Sequence, residues 1–117
     1  LENPYVDIIA HPTGRLIGRR EGYAVNMEQL IKKAGKTQTT LEINANLNRL
    51  DLAAYWVKYA NEHGVQLAIN TDAHSIEMLD FMTYGVRVAK KGWSDQSAII
   101  NTWPLEKLTH YFQRNRH

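Results

Sequence analysis

Residues 39–74 read TTLEINANLNRLDLAAYWVKYANEHGVQLAINTDAH, and this stretch decides the fold. β-Branched residues followed by strict alternation of apolar and polar side chains predict a strand over Thr39–Ala45. An apolar and aromatic stripe predicts a helix over Leu52–His63, with Asp51 as its N-cap. A second apolar run predicts a strand over Val65–Asn70. Strand, helix and strand in this order imply parallel pairing, and hence an α/β fold.

The same alternation continues on the N-terminal side. Val6–Ala10 is a short apolar run of strand length that ends at His11, and a loop with several glycines follows it. Met27–Lys36 carries its apolar residues on one helical face, and Asn26 precedes it as a favourable N-cap. The sequence therefore predicts three successive units of strand and helix.

The C-terminal side is predicted to be helical. A short helix is expected over Ile76–Met82 with Ser75 as its cap, and another helix over Tyr84–Gly92. A last helix should begin with Pro104 in its first turn and bury three apolar side chains. These side chains are Leu105, Leu108 and Phe112.

Parallel strands with flanking helices fit either an open doubly wound sheet or a (βα) barrel. A complete barrel needs about 200 residues or more, whereas this chain has 117. A barrel would therefore make residues 1–117 one part of a larger barrel domain. The chain also starts at Leu1 and enters a strand almost at once, which favours a cut inside a domain, although Leu1 and Glu2 are equally compatible with a cloning remnant.

Composition excludes several classes of protein. The 14 Lys and Arg residues against 12 Asp and Glu leave a formal charge of +2, so the overall charge does not predict nucleic-acid binding. The chain has no cysteine, which excludes a disulfide framework and thiolate metal sites. It has no apolar run of about 18 residues and no signal pattern. A soluble, cytoplasmic protein without a membrane partner is therefore expected.

Polar side chains follow the predicted strands, at the edge where ligands collect in parallel α/β folds. His11 ends the first strand, and Asp72 and His74 follow the third. If that last segment is extended, Asp72 and His74 project to one side, and a carboxylate with an imidazole suits Zn²⁺, Mn²⁺ or Fe²⁺. Pro12 should hold His11 in an extended conformation. A turn at Asp72 and a hydrogen-bonded, structural His11 are the plainer alternatives.

One face of the central predicted strand is polar, because Glu42, Asn44 and Asn46 alternate with apolar residues. Buried polar groups need hydrogen-bond partners, so this face should be in contact with water. One interpretation is a solvated lumen that leads to a site, with Asn46 nearest its mouth. The other is an edge strand with one face exposed to solvent. Arg15 and Arg19 lie in the loop after the first strand, where they could contact phosphate or simply face solvent.

Taken in order, these motifs resemble the polymerase and histidinol phosphatase (PHP) superfamily. The matching segments are Ala10-His11-Pro12, Leu41–Asn46 and Thr71-Asp72-Ala73-His74. Three further segments are similar to the PHP domain attached to bacterial family X DNA polymerases. They are Gly14-Arg15-Leu16, Gly92-Trp93 and Asn101–Glu106.

The resemblance implies a distorted (βα)7 barrel, of which this chain is the C-terminal part, with a cluster of three metal ions at the carboxyl ends of the strands. It implies divalent ions, Mn²⁺ or Zn²⁺, with His11, Asp72 and His74 each binding a different ion and no catalytic residue beyond the ligands. It also implies DNA as the partner of the complete protein, and a 3′→5′ exonuclease activity that processes DNA ends in repair. Arg15, Arg19 and Asn46 are then the candidate substrate-binding residues.

The chain departs from the family pattern, since the first His-x-His motif, a further His and the bridging Glu are absent, and Glu42 lies in a different motif. We therefore expect the fragment alone to be inactive, and its open barrel edges to pair in a homodimer. Two alternatives remain open. One is a PHP phosphatase that acts on a small phosphorylated metabolite such as histidinol phosphate, and the other is a non-catalytic PHP module that supports a polymerase.

Overall fold

The computed structural model describes residues 6–13, 26–46 and 50–114. It contains three strands, β1 (Ile8–Ile9), β2 (Thr40–Asn44) and β3 (Leu67–Asn70). Its α-helices are α1 (Met27–Thr37), α2 (Ala54–Glu62), α3 (Met82–Lys91) and α4 (Leu105–Phe112). Short 3₁₀ helices cover Glu77–Phe81, Gln96–Ala98 and Ile100–Thr102.

The strands form one parallel sheet in the order β1-β2-β3. Ile8 pairs with Thr40, and Leu41 pairs with Leu67. The predicted α/β fold with parallel strands and flanking helices is confirmed. β1 is shorter than the predicted Val6–Ala10, because the backbone turns to a positive φ of 30° already at His11.

The hydrophobic core lies on one face of the sheet. β2 contributes Leu41 and Ile43, the residue after it contributes Ala45, and β3 contributes Leu67 and Ile69. The helices cover this face with buried residues from each of α1, α2 and α3. These residues include Ile31, Ala34, Val57, Ala60 and Ala89. Since side chains alternate along a strand, Glu42 and Asn44 lie on the opposite face.

The outer edge of β3 is covered by a side chain instead of a strand. The Asn101 carboxamide accepts a hydrogen bond from Ile69 N at 2.7 Å and donates one to Ile69 O at 2.8 Å. Ile99 forms an isolated parallel bridge with Leu67 beside it. The Asn101 amide therefore occupies the place that the backbone of a further strand would take.

Helix starts were only partly predicted. The Asn26 side chain caps α1 as expected, accepting from Gln29 N at 3.1 Å. Asp51 does not cap α2, because the N-cap position falls to Ala53, which makes no side-chain hydrogen bond. The Ser75 side chain does not cap the next helix either, since its carbonyl oxygen accepts from Met78 N at 3.2 Å.

The C-terminal helices lie at the predicted positions in the sequence, but their type and their buried residues differ from the prediction. The short helix before α3 is a 3₁₀ helix that runs directly into α3. The expectation that α4 buries three apolar side chains is wrong for Leu105, which is 79% exposed, while Leu108 and Phe112 are half-buried. α4 is tied to the sheet at its C-terminal end, through Tyr111 and Arg114, so its first turn projects away from the core.

In the described part of the chain, no helix combines the length and apolar character that crossing a bilayer requires.

Candidate functional site at the carboxyl ends of the strands

The carboxyl ends of the three parallel strands meet at one edge of the sheet. His11 lies just beyond β1, Asn46 beyond β2, and Asp72 and His74 beyond β3. Neighbouring strands are about 4.8 Å apart, so the segments after β1 and β3 flank β2 at about 10 Å from one another. The topology therefore brings all four residues to the edge at which we expected them.

The Glu42 carboxylate joins the three strands at this edge. Its Oε1 accepts from the backbone N of His11 at 3.0 Å and from Asn44 Nδ2 at 3.1 Å. Its Oε2 accepts from Asn70 Nδ2 at 3.0 Å. A buried carboxylate is tolerated only when donors surround it, and here one donor comes from each strand or its end.

Asn44 carries the network on to the predicted metal ligand Asp72. Its Nδ2 lies 3.4 Å from Asp72 Oδ2, while its Oδ1 accepts from Asn46 N at 3.1 Å. The chain of contacts thus runs from the His11 backbone through Glu42 and Asn44 to the Asp72 carboxylate. Two predicted ligands that are some 60 positions apart in sequence are connected by two intervening side chains.

The polar face of β2 is not a solvated lumen, and β2 is not an edge strand. Glu42, Asn44 and Asn46 are all buried, and β2 is the central strand of the sheet. Both interpretations of the alternation were therefore wrong. The polar side chains satisfy one another, which allows a polar face to be dry.

Asp51 belongs to this edge, although the sequence suggested a helix cap. It forms an isolated antiparallel bridge with Asn44, and its carboxylate accepts from Thr13 N at 3.1 and 3.2 Å. It is fully buried and holds the loop after β1 against the end of β2. No local sequence pattern signals this role, because it depends on the approach of Thr13 to the end of β2.

The backbone at two predicted ligands differs from the extended conformation that we expected. His11 has a φ of 30° and Asp72 a φ of 51°. Asp and His tolerate this left-handed region better than most residues. Pro12 therefore does not keep His11 extended, and the common orientation of Asp72 and His74 does not follow from a strand-like spacing.

His74 is exposed, and its ring orientation is fixed by a hydrogen bond. Its Nδ1 lies 2.8 Å from Asp72 O. A carbonyl oxygen can only accept, so Nδ1 carries a proton in this hydrogen bond. Metal-binding histidines commonly donate the second ring nitrogen to a backbone carbonyl in this way. The hydrogen bond at Nδ1 leaves Nε2 as the ring nitrogen that a cation could reach.

The donor chemistry of His11, Asp72 and His74 suits Mn²⁺ or Zn²⁺. Within residues 6–13, 26–46 and 50–114, however, no three His, Cys, Asp or Glu side chains are grouped so that they could hold a metal ion. The residues therefore fit a metal centre as contributors of single ligands, and they do not form a complete centre among themselves.

The predicted substrate-binding residues have different outcomes. Arg15 and Arg19 lie outside the described residues. Asn46 is buried, and its carbonyl oxygen accepts from Leu50 N at 2.8 Å. Asn46 therefore connects the end of β2 to Leu50 through its backbone.

Comparison with known proteins gives one strong similarity. The chain is 55% identical, over 115 residues, to the DNA polymerase/3′-5′ exonuclease PolX of Bacillus subtilis. The match covers 98% of this chain and 20% of that protein. The chain therefore spans about a fifth of the length of this relative.

More distant similarities are to proteins named as probable phosphatases. One from Clostridium novyi is 31% identical over 80 residues, which is 63% of this chain and 30% of that protein. One from a Thermoanaerobacter species is 25% identical over 122 residues, which is 99% of this chain and 47% of that protein. No protein-family model matches the chain.

Proposed function

We propose that the chain is part of a metal-dependent phosphoesterase domain of the PHP family, in the branch that accompanies bacterial family X DNA polymerases, and that this domain acts on DNA ends. The observation that carries the proposal is the 55% identity over 98% of the chain with a polymerase and 3′-5′ exonuclease. The chain of hydrogen bonds from the His11 backbone to the Asp72 carboxylate also supports the proposal, because a metal-dependent phosphoesterase needs its ligands held in fixed positions. The three-stranded sheet is, in this proposal, one part of the larger barrel.

In the complete protein, His11, Asp72 and His74 bind the ions together with ligands from other segments. Bound divalent cations supply an activated water and stabilise charge on the scissile phosphate. The residues of this chain position those ligands. Glu42 and Asn44 orient the His11 backbone and the Asp72 carboxylate, and Asp72 O orients the His74 ring.

The test uses the full-length protein that carries this segment, with Mn²⁺ and a single-stranded oligonucleotide labelled at its 5′ end. Asp72→Ala and His74→Ala should each reduce removal of 3′ nucleotides by about 100-fold or more, since each removes a ligand. Bound metal, counted by mass spectrometry, should fall as well. Polymerase activity should persist, which shows that the protein is folded.

Two exposed residues provide matched controls. Asp80→Ala removes an exposed carboxylate, and His63→Ala removes a ring whose Nδ1 also contacts a backbone carbonyl, Tyr59 O at 2.9 Å. Neither should change nuclease activity or metal content. Full activity and full metal content in Asp72→Ala would contradict the ligand assignment.

The loop arginines are proposed to contact the DNA backbone. Arg15→Ala together with Arg19→Ala should make the salt dependence of DNA binding shallower, by about one unit of slope for each phosphate that is no longer neutralised. Metal content should not change. An unaltered slope would show that both arginines only face solvent.

A second candidate function is a phosphatase for small phosphorylated molecules. The similarity to probable phosphatases of Clostridium novyi and a Thermoanaerobacter species favours it specifically. Release of phosphate from histidinol phosphate or p-nitrophenyl phosphate, with no shortening of the oligonucleotide, would select this candidate over the nuclease. A full-length protein with neither activity would favour the non-catalytic module.

A further inference from the structure

Trp93 is a large apolar side chain that the fold presents to solvent. It lies just beyond the end of α3 and is 77% exposed. Its backbone has a positive φ of 62°, a conformation that is strained for a bulky residue and that glycine adopts freely. An exposed ring contributes little to folding, so a tryptophan at a strained position indicates a role in binding.

The end of α3 is a motif in which glycine usually stands where Trp93 is found. Trp93 N donates to Lys90 O at 3.0 Å. Ser94 N donates to Ala89 O, also at 3.0 Å. These two hydrogen bonds form a Schellman motif, and Trp93 occupies its left-handed position, where glycine is the usual residue. The fold therefore carries tryptophan at a position where glycine would be less strained.

The residues on both sides of Trp93 are anchored to α2. Asn61 Nδ2 donates to Gly92 O at 2.9 Å and to Ser94 Oγ at 2.7 Å. Gly92 packs so closely on α2 that an added Cβ would lie 2.4 Å from Val57 Cγ1. With both neighbours fixed, the indole ring is held outward before any partner binds.

Positive charge surrounds the exposed indole ring. Lys58 Nζ lies 4.6 Å from the ring centroid. The last turn of α3 adds Lys90 and Lys91, both exposed, and α3 contains no acidic residue. Glu62 and Asp95 line the clefts beside the ring, so three cations stand against two carboxylates. An aromatic ring among surplus cations fits a partner that combines flat rings with negative charge.

One of the clefts beside Trp93 has the size and the polar groups that a nucleobase requires. Its volume is about 370 Å³, within the range of small-molecule sites, about 300–1,000 Å³. Asn61, Gln66, Asp95 and Ser97 are in its wall. Amide, carboxylate and hydroxyl groups form hydrogen bonds with the edges of unpaired bases, while the ring offers a face for stacking.

We propose that Trp93 stacks on a base of single-stranded DNA, and that Lys58 and the lysines at the end of α3 contact the phosphates beside it. Single strands bind in this way to surfaces that combine aromatic rings with basic side chains. Gly85 of α3 lies at the carboxyl ends of β2 and β3, and Trp93 follows eight residues later, about 12 Å further along the helix axis. The contact thus holds the strand at a distance from the proposed metal ligands. The choice of DNA as partner rests on the proposed function, whereas the contact itself requires no metal ion.

The test measures binding of the 117-residue chain to a labelled thymidine decamer by fluorescence anisotropy. EDTA is present, so the result does not depend on whether the full-length protein cuts DNA. Trp93→Gly should weaken binding about tenfold, and Trp93→Phe, which keeps an aromatic ring, should weaken it less. Lys58→Gln should make the salt dependence of binding shallower by about one unit of slope. A decamer of abasic sites should bind wild type and Trp93→Gly equally.

Two control variants and a stability measurement separate stacking from general effects. Tyr55→Leu removes another exposed aromatic ring, from α2, and Lys32→Gln removes an exposed charge from α1. Neither should change binding. Trp93→Gly should unfold at the same urea concentration as wild type or at a higher one, because glycine relieves the positive φ.

A wild-type chain that does not bind the decamer would overturn the proposal. Equal affinity of wild type and Trp93→Gly would do the same, and so would equal affinity of wild type for the thymidine and abasic decamers, which would indicate binding by charge alone. A lower urea midpoint for Trp93→Gly would assign the tryptophan to stability instead.

The full-length protein provides the last test. A single strand that contains iodouracil should form a photochemical crosslink to the peptide that carries Trp93, located by mass spectrometry. Crosslinks confined to other parts of the protein would show that another segment covers Trp93, and would contradict the proposal.

Discussion

At the scale of single residues, Glu42 shows how a polar side chain can hold a sheet edge together. Its two oxygens accept three N–H groups, from His11, Asn44 and Asn70. An amide cannot replace this carboxylate, because its NH₂ group would take the place of one oxygen. That NH₂ group would then face an N–H donor and could not accept its hydrogen bond.

Glu42→Gln should therefore lower the free energy of unfolding by about 1–3 kcal/mol. Urea denaturation followed by circular dichroism measures the change. Glu62→Gln is the matched control, since Glu62 is the exposed last residue of α2, and it should change stability by less than about 0.5 kcal/mol. Equal effects of the two substitutions would mean that the Glu42 hydrogen bonds do not stabilise the fold.

The same residues show what the sequence could predict of the site. Placing His11, Asp72 and His74 after parallel strands required only the periodicity of the chain. The partners of Glu42 and Asp51 could not be predicted, because they depend on how the loops return across the edge. Local spacing also failed for Asp72, since a left-handed φ redirects the segment that follows β3.

At the scale of elements, α3 packs so closely on the sheet that a glycine is required at the contact. A Cβ added to Gly85 would lie 2.5 Å from Ile69 Cγ2 and 2.8 Å from Ala45 Cβ. Ile69 and Ala45 lie at the carboxyl ends of β3 and β2, next to the residues of the candidate site. The position of α3 therefore depends on the absence of one methyl group.

Gly85→Ala should destabilise the protein by about 1–3 kcal/mol through this overlap. Helix propensity alone predicts the opposite, a gain of about 1 kcal/mol. Thermal unfolding decides between them. Thr83→Ala, at an exposed position of the same helix, is the control and should be neutral or slightly stabilising. A Gly85→Ala protein that is more stable than wild type would refute the close packing.

α4 is attached to the start of β2 through the half-buried phenol of Tyr111. The Tyr111 hydroxyl contacts Thr40 Oγ1 at 2.7 Å and donates to Gln38 O. Burial raises its pKa above the ordinary value of 10.0, so the folded state holds this proton more tightly than the unfolded state. The stabilisation is complete below pH 10 and is lost as the pH rises through the raised pKa.

Tyr111→Phe should therefore lower stability at pH 7 by about 1 kcal/mol but lose less stability than wild type above pH 10. Denaturation curves at a series of alkaline pH values measure both effects. Tyr55→Phe removes an exposed phenol and should follow the wild-type pH dependence. If Tyr111→Phe also follows it, the Tyr111 proton does not contribute to alkaline unfolding.

The elements themselves were largely predictable because their hydrophobic patterns are strong. α1, β2 and α2 begin and end within about two residues of the expected positions, a usual accuracy for boundaries. The orientation of α4 was not predictable, since its apolar stripe does not say which turn meets the sheet. Leu105 is exposed for that reason.

At the scale of the whole molecule, the described residues include three proposed metal ligands but do not group them into a site that could hold an ion alone. We therefore expect the 117-residue chain alone, incubated with Mn²⁺, to leave single-stranded DNA intact. Gel analysis of a labelled oligonucleotide measures this. Digestion that EDTA and Asp72→Ala both abolish would show that the chain binds its ions without further ligands.

The chain alone is also expected to form a dimer, and the structure indicates through which edge. No described strand pairs with the outer edge of β1, and an unpaired strand edge readily recruits another. Light scattering at increasing concentration should show twice the mass of the monomer. A monomer at every concentration would exclude pairing through β1.

The Asn101 amide limits how far such pairing can extend. Among the described strands, Ile69 of β3 is already paired to this side chain and only the outer edge of β1 has no strand partner, so we expect each copy to offer one edge for pairing. Two monovalent copies joined about a twofold axis satisfy each other, whereas a fibre would need two reactive edges on every copy. We therefore expect the Asn101 carboxamide to limit association to a closed dimer and to prevent an open polymer.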